Sequence, residues 1–266
     1  MRRTAALLAL CFLSAPVFAA MQSKPVEWKI GDDTFSGVLV YNDVNAIKRP
    51  GLVMMPNWMG VSKMAIEEAK LIAGDDYVVL VADVYGKGNQ PGNADQAKTL
   101  VGNVYADGGV SVRARADAAL QALKQQVDTA PLDASRIGAF GYCFGGGVAL
   151  ELARSGSDLA GVVSLHGDLE TYLPAKDNKV LASILVLNGA DDASVTDAHI
   201  AAFEKEMDAA GADWQFVDFS GAMHCFTDRT KLTPAPNCAY DERTTKRAYE
   251  MLHDFFRERF ATEKSV

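Results

Sequence analysis

The chain reads as an α/β protein with a mostly parallel central sheet and helices on both faces. Three observations lead there. Short, nearly continuous apolar runs recur along the 266 residues, as strands buried on both faces require. Most are followed by a stretch with helical spacing, and strand–helix alternation specifies parallel pairing through crossovers. One junction is unusually rich in glycine: Gly141-Tyr142-Cys143-Phe144-Gly145-Gly146-Gly147.

The elements follow in order. Residues 26–30 and 34–41 form paired strands turning at Gly31-Asp32-Asp33. Residues 51–55 are a buried strand, 56–60 a loop, and Ser62 precedes a helix over 64–73. A strand over 77–82 leads into a Gly-, Asn- and Asp-rich region, 85–109, with a short helix near 94–100. In the next helix, 112–127, Ala116, Ala119, Leu120 and Leu123 trace the apolar face. Strand 136–140 and helix 148–154 flank the glycine-rich turn. Strands 159–165 and 183–188 come next. Helix 197–210 places Ile200, Phe203, Met207 and Ala210 at helical spacing and stops at Gly211. Strand 213–219 and a closing helix over 242–260 complete the order.

Composition narrows function. The net charge is −8 and no basic block is present, which excludes nucleic acid as a partner. Met1-Arg2-Arg3, the apolar residues 5–13 and Val17-Phe18-Ala19 read as a secretory signal cut after Ala19, with Ala20 the alternative. That apolar run is shorter than the ~20 residues a membrane span needs. The expectation is a mature protein, residues 20–266, forming one domain without a membrane span, periplasmic or secreted. Cys143, Cys225 and Cys238 survive removal of the signal. Cys225 and Cys238 bracket a Pro/Thr-rich loop and could pair in an oxidising compartment, leaving Cys143 as the lone thiol.

In open parallel sheets, sites form beyond the carboxyl ends of strands. Cys143 sits at one such end, in the pattern G-x-C-x-G of a nucleophile elbow with cysteine in place of serine. Gly189-Ala190-Asp191-Asp192 and Ser220-Gly221-Ala222-Met223-His224 follow two further strands. Nucleophile, acid and histidine occur in the chain order of an α/β-hydrolase triad. Asp191 and Asp192 are both candidates for the acid; one could instead cap the next helix. His166 follows a strand but precedes the acid, so it suits at most a pocket wall, as do Trp58 and Tyr142. Thiolate is the nucleophile, and a free cysteine has a pKa of ~8.5, so a histidine held by a carboxylate is needed to take its proton. Backbone N–H groups of Phe144, at the helix start, and of Trp58, after the third strand, suit an oxyanion hole.

These motifs resemble the dienelactone hydrolase family of α/β-hydrolases. Gly141-Tyr142-Cys143-Phe144-Gly145-Gly146 is similar to its G-Y-C-x-G-G elbow, Gly189 to Val195 to its G-x-x-D-x-x-V segment, and Gly221 to Phe226 to its G-x-x-H-x-F segment. The resemblance selects Asp192 as the acid. It implies an α/β-hydrolase fold and a hydrolase of small esters or lactones using Cys143, His224 and Asp192, without cofactor or metal. The family's glutamate in the loop after the third strand is Asn57 here, and its substrate-carboxylate arginines correspond only to Arg229, offset by one place. Arg113 and Arg115 are the other arginines within reach of that role. Asn57, Tyr142, His166 and Arg229 are the expected pocket residues. A thioesterase, a glutamine amidotransferase and a non-catalytic binding protein are the competing readings; the second lacks its H-x-E motif, since His224 is followed by Cys225-Phe226 and His253 by Asp254-Phe255.

Overall fold

A computed structural model describes residues 20–176 and 179–261. The expected signal, residues 1–19, lies outside the described residues. One eight-stranded sheet organises the rest, in the order β1-β2-β4-β3-β5-β6-β7-β8. β1 (Met21–Ile30) and β2 (Asp33–Asn42) form an antiparallel hairpin, and β2 pairs antiparallel with β4 (Val78–Val81). β3 (Arg49–Met55), β5 (Leu132–Tyr142), β6 (Gly161–Leu165), β7 (Ser183–Gly189) and β8 (Trp214–Phe219) join it in parallel.

The central strands are buried on both faces, and side chains alternate between two cores. Val53, Met55, Leu80, Ala139 and Val162 point toward α3 (Val110–Lys124) and α4 (Phe144–Arg154). Leu52, Met54, Val79, Phe140 and Val163 point toward α1 (Lys63–Ala73) and α6 (Glu242–Ala261). Two antiparallel strands at one edge aside, this is the mostly parallel, two-faced sheet expected.

Local signals set the helix starts. Ser62 accepts the Ala65 N–H at 3.1 Å to begin α1. Asn93 accepts the Gln96 N–H at 3.0 Å to begin α2 (Ala94–Tyr105). Thr196, rather than an aspartate of the preceding loop, caps α5 (Asp197–Ala209). Several elements run longer than their apolar periodicity suggests, β1 and α4 among them. α2 continues to Tyr105, and β5 begins at Leu132 because Arg49 and Pro50 pair with Leu132 and Asp133 before a register shift.

Candidate active site

The β5–α4 junction is built by close contact. Cys143 has φ 53° and ψ −124°, a backbone conformation that costs a non-glycine residue ~1–3 kcal/mol. The surroundings impose it: the Cys143 N–H donates to Leu165 O at 3.0 Å, and Cys143 O accepts from Gly146 N–H at 2.9 Å. Glycine is required on both sides. A Cβ at Gly141 would lie 2.1 Å from Gly145 O, and one at Gly145 would lie 2.1 Å from Met55 O. The strand therefore turns directly into α4, and the Cys143 sulfur stands at the helix N-terminus, where unpaired N–H groups and the helix dipole favour negative charge.

The second strand end supplies the acid. Asp192 is 3% exposed, whereas Asp191 is exposed. Asp192 Oδ1 accepts from Ser194 N–H at 2.9 Å and Ser194 Oγ at 2.5 Å. Its Oδ2 lies 2.7 Å from His224 Nδ1. Burial alone would raise the Asp192 carboxyl, but bonds from His224, Ser194 and Asn237 outweigh it and hold it well below the usual carboxylate range.

The third strand end supplies the imidazole. His224 Nε2 lies 3.0 Å from Cys143 Sγ. A carboxylate only accepts, so Nδ1 carries a proton toward Asp192 and Nε2 faces the sulfur. Burial works against a charged imidazole; the bonds to Asp192 and Cys143 prevail and raise it to about 10. Residues 32 and 81 positions apart in the chain are thus joined at one sheet edge.

Cys143 and His224 open onto a cavity of about 510 Å³. Trp58, Val101, Tyr105, Phe144 and Tyr172 form its walls, and Lys98, Asp168 and Glu170 its polar rim. Tyr85 and Phe144 stack with ring centroids 5.7 Å apart, and Tyr105 meets Phe144 edge-on at 6.1 Å. Tyr85 OH also donates to Trp58 O at 2.9 Å, pinning the loop after β3.

The four expected pocket residues lie elsewhere. Tyr142 precedes Cys143 on the strand, so strand alternation sends it to the opposite face; it is 1% exposed and its hydroxyl meets that of Tyr249 at 3.3 Å. His166 backs His224 from behind: its ring packs edge-on at 5.1 Å, and its Nε2 bonds Thr227 Oγ1 at 2.8 Å. Burial pushes His166 down to about 3, so it is neutral. Asn57 Oδ1 accepts the Met59 N–H at 2.9 Å, which turns the loop instead of lining the cavity. Arg229 belongs to a separate cleft along α6, with Tyr240 and Tyr249, because the chain after His224 turns toward that helix. Arg113 pairs with Glu151 at 2.7 Å, and Arg115 donates to Val84 O at 2.8 Å; neither is a solvated helix arginine.

Sequence reasoning missed the α2 wall, Tyr172 and Asn237. The first lay inside the 85–109 region, whose helix extends a turn farther than expected. Asn237 had one usable signal, Pro236-Asn237, a turn-forming pair. Cys225 and Cys238 are disulfide-bonded, which leaves Cys143 as the free thiol among the described residues. Among the described residues, no cluster of three or more His, Cys, Asp or Glu is arranged to hold a metal, and no helix is long and apolar enough to cross a membrane.

A family model described as the dienelactone hydrolase family matches residues 35–260. The chain belongs to the dienelactone hydrolase family. Two solved structures share its fold closely. One, named m3DLH, is 33% identical with a TM-score of 0.84, covering 91% of this chain and 100% of that one. The other, a dienelactone hydrolase-like promiscuous phosphotriesterase named P91 from metagenomic libraries, is 32% identical with a TM-score of 0.83 and the same coverage. A probable 2-oxo-3-(5-oxofuran-2-ylidene)propanoate lactonase of Bradyrhizobium is 27% identical over 200 residues, 71% of this chain and 78% of that protein. The protein is accordingly an α/β-hydrolase of esters or lactones, with a small molecule as substrate.

Proposed function

We propose that the protein cleaves small, uncharged carboxylic esters or lactones through a thioacyl-enzyme at Cys143. The observation that carries this reading is His224, placed 3.0 Å from the Cys143 sulfur and 2.7 Å from Asp192 at the cavity floor. His224 Nε2 holds the proton given up by the Cys143 thiol, and the sulfur attacks the carbonyl carbon. A C–S bond forms, and the carbonyl π pair moves to oxygen. The N–H groups of Phe144 and Trp58 are the donors assigned to that oxyanion. Collapse breaks the C–O bond, and the departing alkoxide takes the proton from His224. Water then gives a proton to His224 and attacks the thioester carbonyl. The second collapse expels the sulfur, restoring its pair with the protonated His224, and releases the carboxylic acid. Asp192 holds the imidazole tautomer and stabilises its cation throughout.

Two features support uncharged substrates. The walls are aromatic, which suits an apolar acyl or aryl group. Among the described residues the rim sets two carboxylates, Asp168 and Glu170, against the cation of Lys98, so a substrate carboxylate meets net repulsion. Asn57 accepts no proton, which leaves activation of the sulfur to His224. Export after removal of residues 1–19, to the periplasm or the medium, is part of the proposal. The Cys225–Cys238 disulfide supports it, since such bonds persist in oxidising compartments.

The test compares residues 20–266, wild type and Cys143→Ala, on p-nitrophenyl acetate, an acyl thioester and a dienelactone, with intact-mass detection of an acyl adduct. Hydrolysis and an adduct in the wild type alone, with the neutral ester preferred to the carboxylate-bearing lactone, are the expected result. Full activity in Cys143→Ala would sink the mechanism. Preference for the thioester would make the protein a thioesterase, and inertness toward every member would point to a binding protein.

A further inference from the structure

The geometry points to Asn237 as a positioning residue that fixes the Asp192 carboxylate toward His224. This rests on the reading of Asp192 as the partner of the catalytic histidine.

Asp192 has two oxygens with different tasks. Oδ2 meets His224. Oδ1 receives Ser194 N–H, Ser194 Oγ and, at 2.9 Å, Asn237 Nδ2. Ser194 is two residues away and moves with the acid loop. Asn237 is 45 residues away and ties that loop to the histidine loop. The amide orientation follows from its other half: Asn237 Oδ1 accepts the Ala193 N–H at 2.6 Å, so Nδ2 must face the carboxylate. One side chain therefore grips the acid loop twice, at the residue before Ser194 and at Asp192 itself.

Asn237 is in turn held against His224. Ala235, Pro236, Asn237 and Cys238 form a β-turn, with Cys238 N–H donating to Ala235 O at 3.1 Å. Asn237 has φ 58°, as the third position of a type II turn after proline requires, and asparagine tolerates it. Cys238, next in the chain, is bonded to Cys225, the residue after His224. Cys238 also bridges to His224, and Ala239 N–H donates to His224 O at 3.1 Å. The imidazole and the amide thus come from two ends of one closed loop at a set spacing, and both address the same carboxylate. Freed of the amide, Asp192 gains room to rotate its oxygens away from Nδ1. The titratable groups facing the His224–Asp192 pair are Cys143 after β5 and His166 after β6.

The decisive variant is Asn237→Gly, because glycine keeps the positive φ and removes only the amide. His224 is followed by NMR titration of 13C-labelled imidazoles, with His224→Gln as the assignment control. Its pKa is expected to fall toward the ordinary histidine value by about one unit, as for loss of one charge-assisted bond. kcat for the best ester is expected to fall about tenfold with KM little changed. In an Asp192→Asn background, Asn237→Gly is expected to add nothing, the signature of action through Asp192. A His224 titration that stays in place or moves up overturns the proposal, as does a purely additive double variant. A drop in melting temperature with an unmoved titration would make Asn237 a structural residue and also overturn it. If Cys143→Ala retains full esterase activity, the catalytic reading fails instead, and the His224 titration still decides the role of Asn237.

Discussion

Two of the places where the described residues bury charge lie against α4. At its C-terminal half, Arg154, with a side chain 0% exposed, bonds Glu151 at 3.0 Å, Glu206 at 3.0 Å and Leu169 O at 2.7 Å. Glu151 also takes Arg113 at 2.7 Å. At the N-terminus of α4, Asp192 and His224 form a shorter chain that ends on the Cys143 sulfur. The first network is closed: each charged group ends on another charge or a backbone group, including the Ala175 N–H held by Glu206 at 2.7 Å. The second ends on a reactive atom facing a cavity. Burial of charge alone therefore does not mark a site. A saturated network positions chain, here α4 and the segment from Leu169 to Ala175 that carries Tyr172 into the cavity wall. An unsaturated end, open to a ligand, is where chemistry is possible.

The comparison breaks most sharply at Asp192. Asp192→Asn is expected to lower kcat by about 10⁴-fold in still-folded protein, through the wrong histidine tautomer. Arg154→Leu is its counterpart. It leaves buried Glu151 and half-buried Glu206 with fewer partners and is expected to cost about 3–5 kcal/mol in urea unfolding, with kcat per folded molecule within a few-fold of wild type. If Arg154→Leu abolished turnover in still-folded protein, the division between the two networks would be wrong.

A pH series sharpens the same contrast. Folding raises His224 from an ordinary value near 6.5 to about 10. Its contribution to stability is therefore fully present below about pH 6.5 and lost as pH rises toward 10. Asp192 runs the opposite way, because folding depresses it; its contribution is present above ~4 and lost as pH falls through its lowered folded value. Unfolding free energies measured from pH 6 to 10 should decline in the wild type and flatten in His224→Gln. An unchanged slope would remove His224 from the account. The smallest expected effect is at the cavity wall: Tyr105→Ala removes an edge-on aromatic partner of Phe144 and should raise KM roughly 3–10-fold, about the worth of such a contact, with little change in kcat.

Much of this was legible without coordinates, for local reasons. Cys143 and Asp192 each follow a strand of continuous apolar residues and His224 a strand of partial alternation, and in a parallel sheet all such ends lie on one edge. The glycines around Cys143 announced a turn too tight for a Cβ. Apart from Trp58, which does wall the cavity, the pocket residues were not legible in the same way. Tyr142 was expected at the pocket, although alternation along β5 sends it away from Cys143. Arg229 is five residues past His224, yet the turn after Cys225 carries it to the α6 side. Asn57 seemed to stand in for an acid, but its side chain is committed to the Met59 N–H.

The sequence by itself determined the sheet, the elbow and the identity of three strand-end residues, because periodicity, turn chemistry and chain order act over a few residues. Only the tertiary structure decided the distances at which Cys143, His224 and Asp192 meet, which aromatic groups wall the cavity, and that Asn237 grips the acid loop. Those contacts join positions 32 to 81 residues apart. Their geometry depends on strand register, helix length and the loop closed by Cys225–Cys238, which no local pattern encodes.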